Sequence, residues 1–311
     1  MFVFEKEQYV YNIGEVRIGG MPGEYSTALA GTIFYSGDKI VQDPERGLFD
    51  HKAAEELISK QDEMSDMTGN PALVQIFSNS QSAISRYIDF VSEKTDAPFL
   101  IGSTEPNVRI AGLRYSEEVG LLDRAVYNSV GASAAQNELD ALQEMQHEAA
   151  IILAFNPQDA SIAGRRAILE EGALQLETGL LELAQELGIT KPLIDTATTA
   201  MGAGAGTAAS FVFVSKSLYG HPTGSGVHNA PSSWPWLRSY KKMDRDAYKT
   251  CDIASNLIAH LMGADFLLYG PIAYADKVFP VVAMADVFSA ESVKMEFGID
   301  PVEGHPFRKL L

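Results

Sequence analysis

The chemistry of this chain is concentrated in the polar residues that follow its apolar runs. Ser78-Asn79 closes the second run, Gly102-Ser103-Thr104 the third and Asn128-Ser129 the fourth. Asn156-Pro157-Gln158-Asp159, Asp195-Thr196-Ala197-Thr198 and His228-Asn229 close the fifth, sixth and seventh, and Tyr269-Gly270-Pro271 the eighth. Amides and hydroxyls dominate, with Asp195 the best-placed carboxylate. Such a set suits a neutral heterocycle with donor and acceptor edges, because an amide side chain offers both. A carboxylate can accept two hydrogen bonds from an amidine-like N–H pair, as on a pterin or a guanine. Asn and Asp after strands also cap helices and build turns, and that use competes with the functional one.

Other candidates are weaker. His221 and His228 find no third ligand at metal spacing, and the single Cys251 excludes a multi-thiolate zinc site and an internal disulfide. No metal site is therefore expected. The stretch from Met201 to Ser210, with Gly202, Gly204 and Gly206, has Thr207 where a dinucleotide fingerprint needs its third glycine. It reads as a flexible loop opening a helix, whose small residues can let a flat ligand approach. Trp234 and Trp236 stand in an aromatic loop after the seventh run, as a lid, a partner-docking surface or a cover for the end of the fold.

The elements that must position these residues follow a repeated rhythm. Residues 1–24 alternate, with Gly14 and Gly19-Gly20 as turn signals, and predict a short N-terminal β-hairpin. Apolar runs then occupy 27–34, 72–77, 98–101, 124–127, 149–155, 192–194, 224–227 and 264–269. Helical spacing fills 50–67, 81–93, 106–119, 137–147, 165–187, 207–219, 246–262 and 274–297. Eight strand signals alternating with eight helix signals predict an α/β fold, a (β/α)₈ TIM barrel, with 1–311 as one domain. In such a barrel the residues after each strand converge on one mouth.

Composition bounds the partners. Against 24 Lys and Arg stand 41 Asp and Glu, a formal net charge of −17. That charge disfavours nucleic acid and anionic membrane surfaces. No run of about 18 apolar residues suggests a membrane span, and the N-terminus lacks signal-peptide character, so a cytoplasmic location is expected.

Several ordered segments carry a family resemblance. They are Gly20-Met-Pro-Gly-Glu-Tyr-Ser, Gly31-Thr-Ile-Phe-Tyr, Gly47-Leu-Phe-Asp50 and Asp66-Met-Thr-Gly-Asn-Pro71. Asp96-Ala-Pro-Phe-Leu-Ile-Gly-Ser-Thr104, Asp123-Arg-Ala-Val-Tyr-Asn-Ser129, Gly226-Val-His-Asn-Ala230 and Ala264-Asp-Phe-Leu-Leu-Tyr-Gly-Pro-Ile272 continue the series. Across essentially its whole length the chain resembles the family of the H subunit of tetrahydromethanopterin S-methyltransferase. Within that resemblance it looks most like the bacterial methylcorrinoid:tetrahydrofolate methyltransferases of glycine betaine and quaternary-amine demethylation.

The resemblance implies a corrinoid-dependent enzyme that moves a methyl group between a methylcobalamin protein and N5 of tetrahydrofolate. The alternatives are a tetrahydromethanopterin-using archaeal subunit, or a subunit that docks a corrinoid protein with weak catalysis. It implies Asn229 as the catalytic residue hydrogen-bonding N5, with Asp195 and Asn128 on the pyrimidine edge and Ser103 and Ser129 beside them. His228, Trp234, Trp236, Gly202 and Gly204 are candidates for lid or partner contacts from the residues themselves. The wider group has Asp-Ser-Thr after the third strand where this chain has Gly102-Ser103-Thr104, which motivates the docking alternative. Cobalamin is expected on a partner protein, and a homodimer is expected from the wider group.

Overall fold

The structure is a computed structural model that describes residues 2–145, 147–174 and 176–311. It opens with an antiparallel hairpin, β1 (Val10–Ile13) and β2 (Val16–Gly19). Eight parallel strands then close a barrel in sequence order. They are β3 (Ala28–Ile33), β6 (Ala72–Phe77), β7 (Phe99–Gly102), β8 (Ala125–Val130), β9 (Ala149–Leu153), β10 (Lys191–Asp195), β11 (Thr223–Ser225) and β12 (Phe266–Pro271). A second small hairpin, β4 (Val41–Asp43) with β5 (Leu48–Phe49), follows β3. The sequence rhythm does not show it, because two or three residues per strand are too few for a periodicity.

The outer layer begins with α1 (His51–Thr68), α2 (Gln81–Lys94), α3 (Pro106–Glu118) and α4 (Gln136–Glu144). It continues with α5 (Ile162–Glu170), α6 (Leu180–Glu186), α7 (Ala205–Tyr219), α8 (Asn229–Ser233) and α9 (Pro235–Tyr240). The last are α10 (Arg245–Ala254), α11 (Asn256–Leu261), α12 (Ala275–Phe297) and α13 (Pro306–Leu310). α1 shows why such segments are helical. Asp50 accepts from the Ala53 N–H, Gly69 ends the helix in the left-handed region, and Ala54, Ile58, Gln61 and Met64 bury one face. Among the described residues no helix is long and apolar enough to cross a membrane.

Four expectations need correcting. The helix read over 165–187 is α5 and α6, because the chain folds back between them. A Cβ on Gly179 would lie 2.3 Å from the Leu169 carbonyl oxygen. The helix read over 246–262 breaks at Ser255 into α10 and α11. The aromatic loop is a helix pair, α8 and α9, separated by Trp234 in extended backbone with Pro235 starting the second. The helix read over 137–147 ends at Glu144, and Gln146 lies outside the described residues.

The N-terminal hairpin closes the bottom of the barrel. Ile13 and Ile18, both fully buried, join Ala28, Leu73, Val126, Ile151, Leu193 and Phe266 in the inner cluster. Gly14 N–H donates to the Asp123 carbonyl and Tyr9 N–H to the Gly220 carbonyl, both at residues preceding barrel strands. The buried Lys216 ammonium donates to the Gly20 carbonyl at 2.9 Å and pairs with Asp265, whose other oxygen accepts from Thr223 N–H. One end of the barrel is therefore sealed, and ligands must use the other.

Candidate functional site at the open barrel mouth

Strand alternation selects the side chains that face the barrel interior. Ala30, Leu73, Val126 and Leu193 belong to the inner cluster. Two residues further along each strand, Thr32, Gln75, Asn128 and Asp195 turn to the same face at the open end. Asn128 and Ser129 lie inside β8 rather than beyond it, and the peptide between them is cis. Among the described residues the side chains of Asn128 and Asn229 make no hydrogen bond, so their donors and acceptors stay available.

Asp195 is held from behind. Its Oδ1 accepts from the Ala197 N–H at 2.8 Å, and the Ser225 hydroxyl, itself 2.7 Å from Thr198 Oγ1, also stabilises the carboxylate. Burial pushes the carboxyl up to about 6, against Ala197, Ser225 and the Arg165 charge, which pull it down. Arg165 is buried and donates to the carbonyls of Thr196, Ala160 and Ala197. That fixes the loop after β10 and so the direction of Asp195.

The third-strand position has a local solution. A Cβ on Gly102 would stand 3.5 Å from Gln75 Nε2 and 3.3 Å from the Ile76 carbonyl oxygen. Thr32 donates to Gln75 Oε1 at 2.8 Å, which orients the amide. Among the described residues Gln75 Nε2 makes no hydrogen bond of its own. An amide donor from β6 thus lies beside the β7 position where the resemblance suggests a carboxylate. Ser103 is committed elsewhere: its hydroxyl accepts from Glu105 N–H, and its carbonyl accepts from Arg109, which pairs with Glu138.

A cavity of about 410 Å³ opens at this mouth, lined by Thr32, Gln75, His228, Asn229, Leu268 and Gly270 on the barrel side. Tyr35, Ser232, Lys241, Tyr248, Asp252 and Tyr274 line its outer side. Burial pushes the His228 imidazole down to about 4, so it is neutral near pH 7. Gly202 and Gly204 sit in the loop before α7 with φ of 84° and 107°, and Trp236 is 55% exposed and stacks on Tyr240. Those three residues and Trp234 are not among the cavity's lining. A separate cavity of about 490 Å³ lies at the sealed end beside Arg17, Asp62 and Glu303, and touches none of the candidate residues.

Sequence reasoning missed Thr32, Gln75, Asp252, Lys241, Tyr248 and Tyr274. Gln75 did leave a signal, as the lone amide within an apolar run. Asp252 left none, since an acid within a helix normally reads as a solvated face.

Residues 6–302 match the family described as Tetrahydromethanopterin S-methyltransferase MtrH subunit. The chain belongs to that family. It is 53% identical, over the full length of both chains, to the H subunit of tetrahydromethanopterin S-methyltransferase from Methanothermobacter thermautotrophicus. It is 49% identical, again over both full lengths, to the H subunit of the putative methyltransferase mtx from Methanosarcina mazei. Among solved structures, Xanthomonas albilineans dihydropteroate synthase aligns with a TM-score of 0.58 at 15% identity, covering 91% of this chain and 98% of that one. That likeness is one of fold, the TIM barrel. This member of the MtrH family is therefore a methyltransferase by class.

Proposed function

We propose that the protein transfers a methyl group between N5 of tetrahydromethanopterin and the cobalt of a corrinoid carried by a partner protein in the cytoplasm. The observation that carries the reading is the polar inner face of the open mouth: Gln75 and Asn229 line its cavity, while Asn128 and Asp195 end inward-facing rows of neighbouring strands without lining that cavity themselves. An acceptor carboxylate with free amides fits the N–H and carbonyl pattern of a pterin edge. The names of the relatives support tetrahydromethanopterin over tetrahydrofolate, and they lend nothing to quaternary-amine demethylation.

Methyl transfer between nitrogen and cobalt is an in-line displacement, so the chain contributes orientation and exclusion of water. Asp195 accepts from the pyrimidine N–H pair, while Asn128 and Gln75 complete that edge. Asn229, the first residue of α8, hydrogen-bonds N5 as its electron pair changes. The Gln75 amide beside Gly102 supports a catalytic barrel over a docking protein that has lost activity. Apolar residues exposed on α12, Met284, Phe288 and Met295, support pairing of two copies through that helix.

The test mixes the protein with the 5-methyl form of each pterin and reduced cobalamin, and follows the visible spectrum for methyl–cobalt. The expected result is turnover with methyltetrahydromethanopterin well above that with methyltetrahydrofolate. Asn229→Ala is expected to lower the rate roughly 100-fold while leaving the pterin Kd within a few-fold. Absence of methyl–cobalt with either pterin, even with the cognate corrinoid protein, ends the enzyme reading.

A further inference from the structure

Asp252 is a carboxylate lining the mouth whose chemistry the methyl transfer above leaves unused. It sits on α10, which packs against α8, the helix that begins at Asn229, and it lines the same cavity as Asn229. Its residue exposure is only 6%, and its Oδ1 is shut off from solvent with no hydrogen-bond partner. Among the described residues Oδ2 has no partner either, and it is the oxygen left in contact with open space. A buried carboxylate without a donor is costly to keep. Neighbouring acids are engaged: Asp195 accepts from Ala197, and Asp276 pairs with Lys277.

The surroundings make a proton easier to hold on this carboxyl than on a solvated one. Burial pushes it up to about 6, and the Lys241 charge pulls it down. From α9 come Arg238 and Lys241, and Lys241 Nζ stands 4.0 Å over the Tyr248 ring. Tyr274 lines the cavity just before α12, whose first turn carries Asp276 and Lys277, and His228 lines it just before α8. His260 of α11 is occupied by Asp286. The neutral His228, pushed down to about 4, is too weak a base to hold a transferable proton near pH 7.

We infer that Asp252 is the acid that protonates pterin N5 as the methyl group leaves it, and the base that recovers that proton in the reverse direction. This inference rests on the methyl-transfer reading. An amine nitrogen leaves poorly as an anion, so its protonation lowers the barrier to displacement. In the forward direction the Asp252 O–H bond breaks and an N5–H bond forms. The N5–CH₃ bond breaks with its electron pair staying on nitrogen, and the reduced corrinoid supplies the pair that forms the cobalt–carbon bond. Solvent reaching the cavity returns a proton to Asp252.

The experiment compares wild type, Asp252→Asn, Asp252→Glu and Lys241→Gln. Binding of methyltetrahydromethanopterin is measured by calorimetry at pH 7 in buffers of different ionisation enthalpy, which counts protons without any turnover. Wild type is expected to take up a large fraction of one proton per site, since a carboxyl near 6 is about 90% ionised at pH 7. Asp252→Asn is expected to take up almost none and bind within threefold. Its methyl transfer to reduced cobalamin is expected to fall roughly 100-fold or more, with partial recovery in Asp252→Glu. Lys241→Gln is expected to move the rate inflection to higher pH, because it removes the charge that favours the carboxylate. Unchanged proton uptake in Asp252→Asn, or a fall in rate matched by an equal fall in affinity, overturns the assignment. Wild type that neither binds the pterin nor takes up a proton overturns the methyl-transfer reading itself, and this inference with it.

Discussion

Asp195→Asn separates what this carboxylate does for binding from what it costs the fold. The native carboxyl stands at about 6 instead of 3.8, chiefly through burial. At about 1.36 kcal/mol per pH unit, that difference amounts to about 3 kcal/mol of penalty on the ionised form. Because the folded pKa is raised, the native state binds the proton more tightly than the unfolded chain. The stabilisation tied to that proton is complete below pH ~4 and lost as pH rises through ~6. At pH 8 wild type carries the whole penalty, whereas Asn carries none and can still accept from the Ala197 N–H. Allowing for a weaker bond to Asn, the variant should gain about 1–3 kcal/mol at pH 8, or roughly 2–6 °C in Tm. Near pH 4.5 the gap should have narrowed to about a third of its pH 8 value, and it should close below pH ~4. Pterin affinity should move the other way, weakening roughly 10- to 150-fold with the loss of a charged acceptor. Thermal melts at both pH values and a binding titration decide the matter. A variant that melts at or below wild type at pH 8, with no convergence in acid, refutes the reasoning.

Two further outcomes follow from single contacts. Gln75→Ala removes the amide beside Gly102, and calorimetry should show pterin Kd rising about 5- to 10-fold, whereas an unchanged Kd removes Gln75 from the site. Lys216→Met leaves Asp265 buried without its cation and frees the hairpin end at Gly20. Urea unfolding should then show a loss of about 3–5 kcal/mol, and a loss under about 1 kcal/mol denies the hairpin that anchor.

Much of the barrel was legible because burial on both faces makes parallel strands continuous apolar runs, and eight of them alternate with helical spacing. The weak, glycine-rich seventh run still becomes β11, held by pairing with β10 and β12. The small hairpin β4–β5 and the breaks at Gly179 and Ser255 were not legible, since short strands and chain reversals have no periodic signature. Among the candidate site residues, Asn128, Asp195 and Asn229 could be named because they end apolar runs. Ser103 ends a run as well, but only the folded turn shows its hydroxyl accepting from the Glu105 N–H.

The sequence by itself therefore determined the barrel, the family and the amide-rich character of the mouth. Those properties live in local pattern and in ordered motifs along one chain. Only the tertiary structure decided which end is closed, that Gln75 occupies the side of Gly102, and that Asp252 lines the mouth from a helix 23 residues beyond Asn229. These depend on strand register, side-chain direction and burial, which arise between segments distant in sequence. The same burial raises Asp195 and Asp252 to about 6, and nothing in their sequence neighbours could have done so.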